Sequence, residues 1–149
     1  MTPPKQNSLP LPPVDAPKDC VFATTDGAAR GNPGPAAYGV IFTDAKGKVL
    51  KTLAEKIGKA TNNVAEYRAL IAALTYAKEQ GWKALVVKTD SQLMARKILG
   101  EYKVKHADMK PLYAQAKDLI AALDYFRITD VPRSQTADAD ALANAALDR

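Results

Sequence analysis

The chain reads as one mixed α/β domain, with three antiparallel strands followed by two parallel ones in a five-stranded sheet flanked by helices. Three observations carry this reading. Three strand-like runs follow one another with short turns before any helical pattern begins, which makes an antiparallel meander. Helical and strand-like stretches then alternate, so the later strands return by crossovers and lie parallel to one already present. Finally, 149 residues with 47% hydrophobic and 25% charged content suit one soluble domain with a real core.

Residues 1–19 hold six of the ten prolines and no apolar periodicity, and read as a flexible Pro-rich tail ahead of a domain at 20–149. The first strand opens at Cys20, taken as a small buried hydrophobe, and runs through Val21-Phe22-Ala23 to about Asp26. Three glycines and two prolines in the nine residues from Gly27 to Pro35 then specify a backbone-rich turn. The second strand covers about Ala36–Thr43 and the third about Val49–Ile57, joined by the turn Asp44-Ala45-Lys46-Gly47.

After Gly58–Asn63 a helix begins. Val64, Ala65, Ala69, Leu70, Ala73, Leu74 and Ala77 give it one apolar face, with Asn62 or Asn63 as the expected N-cap and Gly81 as the stop. Ala84–Thr89 is a short buried strand ending on Asp90. Ser91 caps a second helix over about Gln92–Leu99, ended by Gly100. Gly100–Asp108 is a short basic loop, and a third helix spans about Met109–Leu123. Tyr125–Thr129 is the last strand, and Ala137–Leu147 a final helix of small residues and Leu.

Composition excludes several classes of function. The lone Cys20 precludes an internal disulfide and a Cys-rich zinc site. No run reaches the roughly 18 apolar residues of a membrane-spanning helix, and no signal pattern opens the chain, so a reducing, cytoplasmic setting is expected. A formal charge of +5 is compatible with a polyanionic partner.

Four acids stand out by position. Asp26 and Asp90 each end a strand, Glu66 is placed in the first turn of the first long helix, and Asp140 in the first turn of the last. Each alone has a plainer reading, since acids at helix starts are favoured by the macrodipole and Asp90 can be a turn residue. Together, four converging carboxylates repel unless a hard divalent cation joins them, and carboxylate oxygens are the preferred ligands of Mg²⁺ and Mn²⁺.

The ordered motifs Asp26-Gly27-Ala28-Ala29-Arg30-Gly31-Asn32-Pro33-Gly34, Thr61-Asn62-Asn63-Val64-Ala65-Glu66, Val87-Lys88-Thr89-Asp90-Ser91 and Ala139-Asp140-Ala141-Leu142-Ala143-Asn144 resemble type-1 ribonuclease H in its compact bacterial and archaeal form. The resemblance covers about residues 20–148 and implies a ribonuclease H-like fold. It implies hydrolysis of the RNA strand of RNA–DNA hybrids with two Mg²⁺ or Mn²⁺ ions, leaving 5′-phosphate and 3′-hydroxyl ends, by a monomer. Asp26, Glu66, Asp90 and Asp140 are then the catalytic and metal-holding acids, with Gly27 beside the metal. Gly27, Ala28, Asn32, Asn63 and Ser91 are expected to face the 2′-hydroxyls in the minor groove. Thr61 and Lys59 fall at a DNA-strand phosphate, and Arg133 faces the cleft.

The chain departs from the family at Asp130, where many relatives carry His, and at Thr136, where an Asn is common. The basic protrusion of larger members shrinks here to Gly100–Asp108, leaving Lys103 and Lys105. Two other readings remain open at this point: a hybrid-binding module without catalysis, and a related nuclease for double-stranded RNA.

Overall fold

A computed structural model describes residues 16–149. The elements are β1 (Val21–Ala29), β2 (Gly34–Thr43), β3 (Val49–Ala60), α1 (Asn62–Gln80), β4 (Ala84–Thr89), α2 (Gln92–Ile98), α3 (Lys110–Ala121), β5 (Tyr125–Asp130) and α4 (Ala137–Leu147), with a 3₁₀ turn at Arg133–Gln135 before the last helix. They form one five-stranded sheet in the order β3-β2-β1-β4-β5. β1 pairs antiparallel with β2, and β2 with β3; β1 pairs parallel with β4, and β4 with β5. This is the arrangement expected from the sequence. The expected tail lies outside the described residues as far as position 15. Within 16–19, Cys20 N donates to Pro17 O, and Ala16 packs against the Cys20–Phe22 cluster.

Period-2 alternation along the strands divides the sheet into two faces. One face is thick. Val21, Ala23, Val40, Phe42, Leu85, Val87 and Ile128 of the strands pack with Leu70, Leu74 and Ala77 of α1 and Ala116 of α3. Phe42, Tyr76 and Trp82 close one end of it, with ring centroids 5.1–5.6 Å apart. The other face takes α4, whose Ala143 and Ala146 sit against Ala37. This helix lies directly on strand backbone: a Cβ on Gly39 would fall 2.2 Å from the Ala139 carbonyl oxygen. Small residues on α4 therefore set how closely it approaches β2, and with it where Asp140 sits.

Boundaries near the site differ from the sequence reading: β2 begins at Gly34 and β3 runs on to Ala60, and two further differences have tertiary reasons. β1 does not stop at Asp26 but continues to Ala29, pairing Gly27 with Tyr38 and Ala28 with Ala37. Gly27 and Ala28 are strand residues, and the turn is confined to Arg30–Pro33, which includes a cis Asn32–Pro33 bond. The N-cap of α1 is Thr61, whose Oγ1 accepts from Val64 N at 3.2 Å. Neither Asn62 nor Asn63 caps it. The Asn62 side chain instead accepts from Ala29 N at 3.1 Å, and Asn62 N donates to Asn32 Oδ1 at 3.0 Å. Because α1 starts at Asn62, Glu66 stands in its second turn, beyond the strongest part of the macrodipole. Gly81 at φ 75° and the Ser91 cap are as expected.

Candidate active site

The parallel pairing of β1 with β4 brings Asp26, inside β1, beside Asp90, the first residue after β4, at the carboxyl edge where sites gather in α/β sheets. Asp26 lies on the α4 face of β1 and is only 5% exposed. Its neighbour Gly27 faces α1, and its missing side chain lets the second turn of α1 rest against the strand. Glu66 is thereby delivered beside Asp26, and its Oε1 accepts from Gly27 N at 3.0 Å. Carboxylate oxygens of Asp26, Glu66 and Asp90 all lie within 4.8 Å of one another.

Asp140 approaches on α4, from the same face of the sheet as the Asp26 side chain and opposite to α1, and its carboxyl hydrogen-bonds to Asp26. It stands outside the three-acid set but in contact with its centre. Asp90 is held by Thr136, whose Oγ1 donates to Asp90 Oδ2 at 3.1 Å, and Arg133 Nε lies 3.5 Å from the same oxygen. Asn144 donates to Asp140 Oδ1 at 3.2 Å.

The electrostatics follow from burial and crowding. Burial raises the Asp26 pKa most, followed by the nearby Glu66 charge, the Asp140 hydrogen bond and Asp90, and together they push it to about 9. Glu66 is pushed up to about 8, chiefly by burial and then by Asp90, against the lowering effect of the Gly27 N–H. Four oxygen donors of one charge sign, gathered in a poorly hydrated place, match the requirements of a hard divalent cation. The residues therefore fit such an ion.

A pH-dependence follows. Asp26 and Glu66 hold protons in the folded chain up to about pH 8–9, whereas in the unfolded chain they release them near their model values of 3.8 and 4.5. The folded state thus binds more protons across this window, and metal-free stability falls as pH rises from about 4 to about 9. The expected result is a melting temperature in chelator that drops between pH 5 and pH 9, with the drop reduced by excess Mg²⁺. A metal-insensitive melting temperature over that range would contradict the arrangement.

The remaining residues named from the sequence divide between two regions. Asn63, Glu66 and Ser91 line one narrow cleft of about 10 Å³ beside the acids. Lys59 lies elsewhere, in an open groove of about 760 Å³ shared with Arg30 and Lys56. Thr61 sits between these regions as the α1 cap, and Asn32 braces the start of α1 through Asn62. The Gly27 N–H is engaged by Glu66, and Ala28 is half-buried in the β1–β2 ladder. Arg133 is 90% exposed at the rim. Asp130 ends β5 in an exposed position, and His106 is exposed in the α2–α3 loop. Thr136 stood out from the sequence only as a departure from the family, and Asn144 and Arg30 were not named as site residues. Thr136, the residue before α4, and Asn144 on α4 each lie four positions from Asp140, which was the one available signal for Asn144.

A parallel β1–β4 pair with one acid inside β1 and one just after β4, an acid from α1 and another from α4 on the other face of the sheet define the class: an α/β domain of the ribonuclease H fold. The family described as "Reverse transcriptase-like" matches residues 24–146. A ribonuclease HI of Halobacterium salinarum is 43% identical over 128 residues, covering 86% of this chain and 64% of that one. A crystal structure of RNase H1 from that archaeon superposes with a TM-score of 0.84 at 43% identity, covering 87% of this chain and 98% of its own. LC11-RNase H1, solved in complex with an RNA/DNA hybrid, gives 0.82 at 41% identity, covering 86% and 96%. A bifunctional protein of Mycobacterium tuberculosis is 45% identical over 129 residues, of which the chain spans 35%. The chain thus spans less than two thirds of the length of these curated relatives. The chain belongs to the type-1 ribonuclease H family. That family needs a divalent metal, and the acidic triad Asp26, Glu66 and Asp90 is present here. Among the described residues, no helix is long and apolar enough to cross a membrane.

Proposed function

We propose that this chain hydrolyses the RNA strand of RNA–DNA hybrids, leaving 5′-phosphate and 3′-hydroxyl ends, with two Mg²⁺ or Mn²⁺ ions held by Asp26, Glu66, Asp90 and Asp140. The observation that carries the proposal is the convergence of Asp26, Glu66 and Asp90 oxygens within 4.8 Å, with Asp140 in contact with Asp26. A surface that only held a polyanion would gain nothing from clustered carboxylates, which argues against a hybrid-binding module without catalysis. When bound, such cations lower the pKa of the attacking water and stabilise the leaving oxygen.

The chain's own groups have separate tasks. Asp26, central and buried, would help hold both ions. Glu66 is oriented by the hydrogen bond it accepts from the Gly27 N–H. Asp90 is oriented by Thr136, and the Arg133 guanidinium beside it reduces the repulsion that a phosphate would meet at the rim. Asn63 and Ser91, with Glu66, present donors and acceptors in one cleft beside the acids, suited to a sugar hydroxyl that both donates and accepts. Gly27, Ala28 and Asn32 flank that surface, while Thr61 and Lys59 are suited to a DNA-strand phosphate. The likeness to LC11-RNase H1, a protein solved with an RNA/DNA hybrid, supports this substrate over double-stranded RNA. A monomer in the cytoplasm is the setting we assign, consistent with a single buried free cysteine.

The test is cleavage of end-labelled RNA–DNA hybrid, duplex RNA and duplex DNA in parallel, with Mg²⁺, with Mn²⁺ and with chelator. Metal-dependent cutting confined to the RNA strand of the hybrid is expected. Equal cutting of duplex RNA would shift the assignment to a related nuclease, and salt-sensitive binding without cutting to a binding module.

A further inference from the structure

Asn144 lies one helical turn after Asp140, and its side chain turns back along α4. Its amide nitrogen donates to the Asp140 carbonyl at 3.0 Å and to the Asp140 carboxylate Oδ1 at 3.2 Å. The opposite side of the amide is also held. Arg30 Nη2 lies 3.4 Å from Asn144 Oδ1 and 3.4 Å from its carbonyl oxygen, while Arg30 Nη1 pairs with Asp148 Oδ1 at 2.8 Å. A guanidinium has only donors, so the Asn144 oxygen must face Arg30 and its two N–H groups must face Asp140. Arg30 is the first residue after β1, four positions beyond Asp26. A chain of contacts thus runs from the end of the strand bearing Asp26, across to α4, and onto the carboxylate of Asp140.

We infer that Asn144, braced by Arg30, is a positioning residue that aims the Asp140 carboxylate at Asp26 and so completes the second half of the cation site. The inference rests on the reading of Asp140 given under the proposed function. Its physical basis is geometric: a carboxylate in the first turn of a helix samples several rotamers, and the Asn144 amide, bonded to both the Asp140 carbonyl and Oδ1, selects the one that points at Asp26. Asn144 supplies a neutral donor there. Asn suits the position because its short amide spans one helical turn and presents two N–H groups at once. Asp has no N–H to give to the Asp140 carboxylate, and Ala removes the bond altogether. A purely structural Asn bonded back to the i−4 carbonyl would touch only the Asp140 backbone; this one also reaches the carboxylate.

The test uses the full chain as wild type, Asn144→Ala, Asn144→Asp, Arg30→Ala and Arg30→Lys. Three readouts are taken: melting in chelator, Mn²⁺ binding by calorimetry without substrate, and hybrid cleavage against Mg²⁺ concentration. Asn144→Ala is expected to bind Mn²⁺ about tenfold more weakly and to need about tenfold more Mg²⁺ for half-maximal cleavage, with KM for the hybrid unchanged. Asn144→Asp should be weaker still, Arg30→Ala intermediate, and Arg30→Lys close to wild type. Wild-type Mn²⁺ affinity in folded Asn144→Ala overturns the inference, as does a cleavage defect that appears only as a raised KM. If Asn144→Ala does not fold, Arg30→Ala decides, because its side chain is 47% exposed and its removal leaves the core intact. A wild type that binds no Mn²⁺ and cuts no hybrid overturns the proposed function itself, a different result from a variant indistinguishable from an active wild type.

Discussion

Asp26→Asn is expected to lower single-turnover cleavage of an RNA–DNA hybrid by about a thousandfold or more, while the metal-free protein becomes more stable at pH 8. The two effects share one cause. Asp26 is 5% exposed, and its carboxyl lies among Glu66, Asp90 and Asp140. Ionising it there costs stability, and Asn has the same shape without the charge. The Asn amide also brings donors to a place crowded with acceptors. On the proposed function, removing the charge takes away the central of the acids that would hold the cations, and a thousandfold loss corresponds to about 4 kcal/mol of transition-state stabilisation, within what metal-assisted hydrolysis supplies. Calorimetry in chelator at pH 8 and cleavage in saturating Mg²⁺ measure the two effects on one preparation. A variant that keeps cleavage within tenfold of wild type would remove Asp26 from the centre of the mechanism. One that loses activity because it has unfolded would contradict the electrostatic account.

The second large effect is expected from Gly27→Ala. A Cβ at Gly27 would lie 2.3 Å from the carbonyl carbon of Ala65, 2.6 Å from its oxygen and 2.5 Å from the Glu66 nitrogen. All three are backbone atoms, so no side chain can turn aside, and α1 must move away from β1. Overpacking of this kind costs about 3 kcal/mol, and here it also stretches the Gly27 N–Glu66 Oε1 bond. Even a 1 Å displacement of a catalytic group can cost about a hundredfold in rate. The expected outcome is a clear fall in melting temperature together with loss of most cleavage at temperatures where the variant stays folded. Gly47→Ala is the control. Gly47 has φ 88° and open space around it, so the cost is limited to left-handed backbone strain of about 1–2 kcal/mol, with cleavage unchanged. If Gly27→Ala melts no lower than Gly47→Ala, the close approach of α1 is not what places Glu66.

Much of this protein was legible from its sequence because the signals are local. The meander of three strands, the crossover to β4, the Ser91 cap and the Gly81 stop depend on residues within a few positions of one another. The four acids stand out in the sequence for a related reason: each sits in a short motif, Asp26 and Asp90 after apolar runs and Glu66 and Asp140 near helix starts. What local signals cannot carry is which distant group a polar atom will meet. Gly27 looked like the beginning of a turn, since glycine usually marks one; it is glycine because α1 rests on it, and β1 runs on to Ala29. Asn62 and Asn63 looked like caps, yet Asn62 is spent on Ala29 N across the strand–helix gap, which leaves the cap to Thr61.

The same holds for the residues that orient the acids. Thr136 and Asn144 are ordinary residues of a small-residue helix until α4 docks on Gly39 and brings them to Asp90 and Asp140. The sequence by itself determined the elements and their order, because periodicity, capping and turn chemistry act over one or two turns of chain. Only the tertiary structure decided how those acids are held. Their hydrogen-bond partners stand on other elements, tens of residues away for Glu66 and Asp90, and are chosen by how closely α1 and α4 can approach the sheet.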